Sequence, residues 1–267
     1  MGKKRWLPII AGLFLILLIA GVVFSLSSPS ILEGKASAWL VQRISSTQDN
    51  FKESQLIRVV VEPADISLYR KILPEQFDMP EHPMVELVMI DQIDVGPWPL
   101  TPYQEGCVSL RCKYKGEEGW FITSLPVSKW VACYAGRTMG YPKYVADEVI
   151  FKQITKVWRG EVIHNCRKRL LLEFTPGEWV ESPTWVKKGW NIDGPVLNLM
   201  PPGVGPDVVR IGSSSKVQPN TVEEKGMVRI SIGPDEPWAG LVPPGTVAPG
   251  TFVKNKGGRS LVPEKKS

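Results

Sequence analysis

Histidine is nearly missing from this 267-residue chain: His82 and His164 are its only two. Neither has a second histidine or a cysteine at metal-ligand spacing, so no metal site is expected. The four cysteines, Cys107, Cys112, Cys133 and Cys166, are equally sparse and show no two-residue spacing of a zinc or redox motif. They permit three pairings if two disulfides form, or they are small buried hydrophobes. Cys107 and Cys112 would face opposite ways on one continuous strand. A phosphate loop is absent too, since no Gly-Lys-Ser or Gly-Lys-Thr follows Gly203, Gly205 or Gly212. The net charge of +5 resides at the two ends. Lys3, Lys4 and Arg5 open the chain, and Lys254, Lys256, Arg259, Lys265 and Lys266 outnumber Glu264 at its close. The body between is slightly acidic, which gives no footprint for a nucleic acid.

Glycine and proline, at 24 each, predict frequent turns and few long helices, and an apolar fraction of 43% suffices for a substantial core. That balance suits a β-rich barrel or sandwich. The only long apolar run, 7–26, is about the length that crosses a bilayer as one helix. Its basic flank belongs on the cytoplasmic side, which would place the remainder outside as a membrane-anchored, extracytoplasmic domain, periplasmic or extracellular. A cleaved signal peptide is the alternative and would give a secreted protein; Ala36-Ser37-Ala38 has the small-residue pattern but lies far beyond the run. The expected organisation is 1–32 anchor or signal, 33–55 linker, 56–252 folded domain and 253–267 basic disordered tail.

Strands are expected at 57–61, 84–93, 107–114 and 120–124, the last two forming a hairpin about the glycines at 116 and 119. A helix is expected at 65–73, with Ile66, Tyr69 and Leu73 on one face and Pro74 after it. Further strands are expected at 129–134, 149–157, 161–164, 169–174, 196–200, 208–211 and 227–232. The stretch 182–191 reads as a loop, and from Pro234 onward the chain should be irregular.

One segment carries chemistry. Gly136-Arg137-Thr138-Met139-Gly140-Tyr141-Pro142-Lys143 ends in a lysine held behind an aromatic and a proline. A solvated lysine, with a pKa of about 10.4, is almost always a cation and no nucleophile. Desolvation favours its neutral form, which attacks carbonyls to give an imine. Glu105 lies in a segment rich in Trp98, Pro102 and Tyr103, where a carboxyl could shuttle protons.

The chain resembles the acetoacetate decarboxylase family from about Ile57 to Thr251. The resemblance rests on Tyr69-Arg70-Lys71-Ile72-Leu73-Pro74, Pro102-Tyr103-Gln104-Glu105, Gly136 to Lys143, Val196-Leu197-Asn198-Leu199-Met200-Pro201 and Trp238-Ala239-Gly240-Leu241-Val242-Pro243, in that order. It implies a mainly β (α+β) domain, a closed cone-shaped antiparallel barrel with a few short helices, here preceded by one transmembrane helix. It implies a cofactor-independent carboxy-lyase that forms a Schiff base between a β-keto acid and Lys143, as acetoacetate decarboxylases do with an activated lysine. Glu105 would be the acid/base, with Tyr141, Arg137, Tyr144 and Tyr103 around the substrate. Arg137 is expected rather to order the loop by pairing with a carboxylate. The implied partners are a small keto acid, the membrane through the N-terminal helix, and further copies of the chain, since the family tends to form multimers.

Departures accompany the matches. Tyr144 stands where the best-known decarboxylases have a second lysine, Gln55 where they have an arginine at the pocket entrance, and Val88 where they have a second glutamate, with Glu86 and Asp91 nearby. These leave two alternatives open: a Schiff-base aldolase or dehydratase of the same family, and a barrel that only binds a keto acid or small ligand, with Lys143 as charge partner.

Overall fold

Alternating burial organises the chain into strands, as the sequence pattern predicts. The computed structural model describes residues 51–96, 100–137, 140–177, 195–199, 208–213, 220–259 and 261–263. The chain divides into Met1–Leu40 and Val41–Ser267, and every described residue belongs to the second unit. No helix among the described residues is long and apolar enough to cross a membrane. The apolar run at 7–26 and the loop expected at 182–191 both lie outside them.

The strands are β1 (Phe51–Val61), β2 (Val85–Val95), β3 (Tyr103–Tyr114), β4 (Glu117–Val127), β5 (Lys143–Val145), β6 (Glu148–Ile154), β7 (Val157–His164), β8 (Arg167–Pro176), β9 (Val196–Leu199), β10 (Val208–Ser213), β11 (Asn220–Ile232), β12 (Val247–Arg259) and β13 (Leu261–Pro263). Among the described residues two helices, α1 (Ile66–Ile72) and α2 (Trp130–Arg137), and a 3-10 turn at Ala239–Leu241 accompany them. All the described strands join one curled sheet, a half-barrel in the order β13-β10-β9-β4-β3-β2-β1-β12-β11-β8-β7-β6, with β5 against β4. The mainly β class with few helices is as expected. The expected closed barrel is not seen among the described residues: β6 and β13 end the strand path, and β4 pairs in parallel with both β5 and β9. The physical reason is that β4 is followed by a helix, so its outer edge is filled by two short segments rather than by one antiparallel return.

Each central strand has two buried faces. Ile57, Val59, Leu87, Met89, Val108 and Leu110 enter the main core beneath the curl, with Phe174 and Phe252. Leu56, Val88, Ile90, Cys107, Ile122, Leu125 and Val196 form a second apolar layer on the other face. This period-2 division decides which polar residues meet. Cys107 and Cys112 fall on opposite faces, as their spacing predicts.

Helix α1 begins as expected, with the Asp65 side chain accepting from the Leu68 N–H. Several expectations are corrected. Residues 130–137 are helical rather than extended, because Ala132, Cys133, Ala135 and Gly136 bury along one helical face. The turn expected between strands 149–157 and 161–164 falls instead at Thr155, so Gly160 sits inside β7, where an added Cβ would lie 2.4 Å from Met89 Cβ. The segment after Pro234 is not wholly irregular, and residues 253–259 are not tail: β12 runs to Arg259, between β1 and β11. Its Gly250 is required there, since a Cβ would meet Val228 Cγ2 at 2.4 Å and the Arg58 carbonyl at 2.7 Å. Likewise β1 begins at Phe51, inside the expected linker.

All four cysteines are free, with Cys107, Cys112 and Cys133 buried and Cys166 exposed. Burial pushes the Cys112 thiol up to about 12, and the Cys107 thiol up as well, first by burial and then by the Glu86 carboxylate. A thiol reagent at pH 8 is therefore expected to label Cys166 alone in the native protein and all four after unfolding, as counted by mass.

Candidate active site

The segment before Lys143 folds as its glycines dictate. Helix α2 closes with two bonds, Tyr141 N–H to the Gly136 carbonyl (3.1 Å) and Gly140 N–H to the Arg137 carbonyl (3.0 Å). Gly140 takes φ +80°, the left-handed conformation that ends helices at glycine. The chain turns at Pro142 and enters β5, where Lys143 pairs with Leu125 of β4. Gly136 is buried at a helical position where glycine ordinarily costs about 1 kcal/mol relative to alanine. Its purpose is steric: a Cβ there would lie 2.3 Å from Lys143 Cδ and 2.6 Å from Cε. The lysine stem lies against the bare face of the helix. Arg137 Nε donates to the Lys143 carbonyl at 2.7 Å, so it fixes the lysine's backbone.

The amine ends beside Glu105 of β3. Lys143 Nζ donates to Glu105 Oε2 at 2.8 Å, and the two residues are only 7% and 2% exposed. Gln92 Nε2 donates to the other carboxylate oxygen at 3.2 Å, fixing the plane of the acid. The rings of Tyr103 and Tyr141 stand 5.4 and 5.8 Å from Nζ, within cation–π range. The apolar layer of Leu56, Ile90, Cys107 and Leu125 shares this face. A bulge in β4 contributes: Val108 pairs with Ser124 but Ser109 with Ile122, and the extra Thr123 brings Ile122 and Leu125 to the same side.

A second buried ion pair lies on the same face. Arg58 Nε donates to Glu86 Oε1 at 2.5 Å, and Ser109 Oγ approaches Glu86 Oε2 at 3.4 Å. Cys107 sits between the pairs, 3.3 Å from Ser109 Oγ, and Glu86, Glu105 and Lys143 all act on its thiol. Two buried pairs on one sheet face are a poor stability device, because an apolar pair of equal volume generally serves as well. Their concentration there points to chemistry.

The structure thus brings together Lys143, Glu105, Tyr103 and Tyr141, with Arg137 acting on the backbone. Tyr144 is not in the group. As the next residue of β5 it faces the other way, its ring centroid 4.9 Å from that of His164. It lines a cavity of about 470 Å³ with His164, Arg169, Glu236 and Trp238. A cation at 144 would have pointed across the sheet from the amine. Gln55 also faces away and bonds Asp91 at 3.0 Å, whereas Arg58 and Glu86 occupy the lysine's face. Gln92 is the contact the motif reading lacks; its signal is a lone amide in the otherwise apolar or acidic β2. Among the described residues no group of three or more His, Cys, Asp or Glu is placed to hold a metal.

The family model described as Acetoacetate decarboxylase (ADC) matches residues 45–256, and the chain belongs to that family. No curated protein matches the chain. Solved structures share its fold at low identity. Acetoacetate decarboxylase of Legionella pneumophila is 16% identical, with a TM-score of 0.59, covering 79% of this chain and 86% of that one. The enduracididine biosynthesis enzyme MppR, complexed with pyruvate, is 14% identical (TM-score 0.56; 78% and 86% covered). An acetoacetate decarboxylase-like enzyme of Sphingomonas wittichii RW1 is 14% identical (TM-score 0.55; 80% and 92% covered).

Proposed function

We propose that the chain is a cofactor-independent Schiff-base enzyme in which Lys143 condenses with the ketone of a small keto acid, and that it releases carbon dioxide from a β-keto acid. The observation that carries this reading is the buried contact of Lys143 Nζ with Glu105 at 2.8 Å. Transfer of a proton along that bond frees the amine lone pair and leaves a carboxylic acid beside it. Nζ attacks the carbonyl carbon. Glu105 returns the proton to the carbinolamine oxygen, which leaves as water, and a protonated imine remains. The bond to the carboxylate breaks, its electron pair passes to the imine nitrogen, and carbon dioxide departs. Protonation of the enamine carbon and hydrolysis release the ketone and restore the amine. Tyr103 and Tyr141 would flank the bound carbonyl and favour its cationic intermediates.

Condensation chemistry is the second reading. MppR, a relative in fold, is complexed with the condensation product of pyruvate and imidazole 4-carboxaldehyde. Both readings begin with an imine at Lys143, and they part at whether that imine loses its own carboxylate as carbon dioxide or loses a proton and adds, as the enamine, to an aldehyde. The run at 7–26 supports placing the enzyme at a membrane, outside the cytoplasm.

Imine formation exchanges the carbonyl oxygen with water. The protein should therefore speed the loss of an oxygen-18 label from the ketone of pyruvate or acetoacetate, read by mass spectrometry. Carbon dioxide release from acetoacetate but not pyruvate then marks the carboxy-lyase. Exchange no faster than in buffer contradicts the proposal.

A further inference from the structure

Asn198 of β9 is fully buried, and neither its carboxamide nitrogen nor its oxygen has a hydrogen-bond partner. Such an amide is a standing cost to the fold, and native proteins seldom retain one without a use. Its direction is set by its strand. Val196 belongs to the apolar layer on the Lys143 face and Leu197 to the main core, so Asn198 returns to the Lys143 face. Its position follows from the pairing. Trp120 is level with Val196 and Leu125 with Lys143, so parallel β9 sets Asn198 level with Ile122. That is three residues along β4 from the lysine's partner, an offset of roughly 10 Å between the two backbone positions, so a ligand reaching both must carry several carbons between its ketone and its far end. The wall between, Ile122 and Leu125, is apolar.

We propose that Asn198 is a specificity-determining residue of the Lys143 site, and that the site takes a keto acid whose far end carries a neutral group able both to donate and to accept a hydrogen bond, a hydroxyl above all. This rests on the Schiff-base reading for the near end of the substrate. The carboxamide offers one donating and one accepting edge side by side, and a hydroxyl satisfies either or both. A terminal carboxylate would satisfy only the nitrogen and set its charge against the oxygen in an enclosed place. An alkyl end would leave both edges unpaired, and sites built to bond a polar group discriminate strongly against analogues that lack it.

The test compares 6-hydroxy-2-oxohexanoate with 2-oxohexanoate on the full chain, by calorimetry and, separately, by borohydride trapping. The wild type is expected to bind the hydroxylated compound roughly tenfold more tightly. In Asn198→Leu the ratio falls to about one, and the variant melts no lower than the wild type because an apolar side chain replaces an unpaired amide. Equal affinities in the wild type, no measurable binding of the hydroxylated compound, or a ratio retained in Asn198→Leu overturns the proposal. Discrimination by calorimetry without any trapped adduct sinks the Schiff-base reading and leaves Asn198 standing. Adducts without discrimination do the reverse.

Discussion

Valine at position 136 should reduce imine formation at Lys143 by at least about 10²-fold while the domain still folds, because misplacing a reacting group by an ångström costs on that order. The new side chain would need the space now held by Lys143 Cδ and Cε, which an added Cβ would approach to 2.3 and 2.6 Å. Helix α2 cannot easily back away, since Ala132, Cys133 and Ala135 beside Gly136 are themselves buried. The lysine must then leave the approach that brings Nζ to Glu105. Overpacking of this kind costs roughly 1–3 kcal/mol, which should appear as a lower melting temperature without loss of the folded signal. Alanine should produce the same defect in weaker form. A Gly136→Val enzyme that exchanges carbonyl oxygen at the wild-type rate would mean that the lysine does not work from this position.

Glu105→Gln separates two things the carboxylate does. The amide keeps the shape of the acid and can still meet Gln92 and the lysine, but it cannot take up the proton of Nζ or return one to the departing oxygen. Carbon dioxide release from acetoacetate is expected to fall by about 10²–10⁴-fold, the usual worth of a positioned acid/base. Trapped adduct should still map to Lys143, since the lysine itself is untouched. The variant should also melt lower, because the buried cation loses its counter-charge. Steady-state release and single-turnover trapping, run below the variant's melting temperature, give both numbers. Unchanged turnover would reduce Glu105 to a structural partner.

The residues that were legible in the sequence are those whose meaning is local. Asp65 announces the start of α1, and the β-branched run at 57–61 announces β1. The lysine motif reads as a unit because Gly136, Gly140 and Pro142 each act within a few residues of Lys143. Helix α2 was not legible, as Trp130-Val131-Ala132-Cys133-Tyr134 is rich in residues that also suit a strand, and only packing decides. Strand β12 was hidden by Pro249 and Gly250, which pattern reads as breakers although the crowding at Arg58 and Val228 requires the glycine.

What joins the site across strands was beyond reach for a different reason. Gln92 meets Glu105 only because Ile90 pairs with Glu105 and puts Gln92 on its face. The bulge at Thr123, which rephases β4 so that Leu125 pairs with Lys143, leaves no mark in the sequence. Arg58 and Glu86 were visible as charges in apolar strands, and Gln55, three residues from Arg58, had to take the other face; which of the two faces meets the lysine is set by register. The loss of a lysine at 144 looked important from its adjacency to Lys143. The alternation of β5 removes that inference, because neighbours along a strand do not share a face.

Borohydride reduction of the full chain with acetoacetate, and separately with pyruvate, followed by peptide mass mapping, tests the imine most directly. One stable adduct of the reduced keto acid or its decarboxylated ketone is expected on Lys143, absent from Lys143→Arg, with no other lysine labelled. No adduct from either compound between pH 5 and 9, or an adduct that persists in Lys143→Arg, would contradict it.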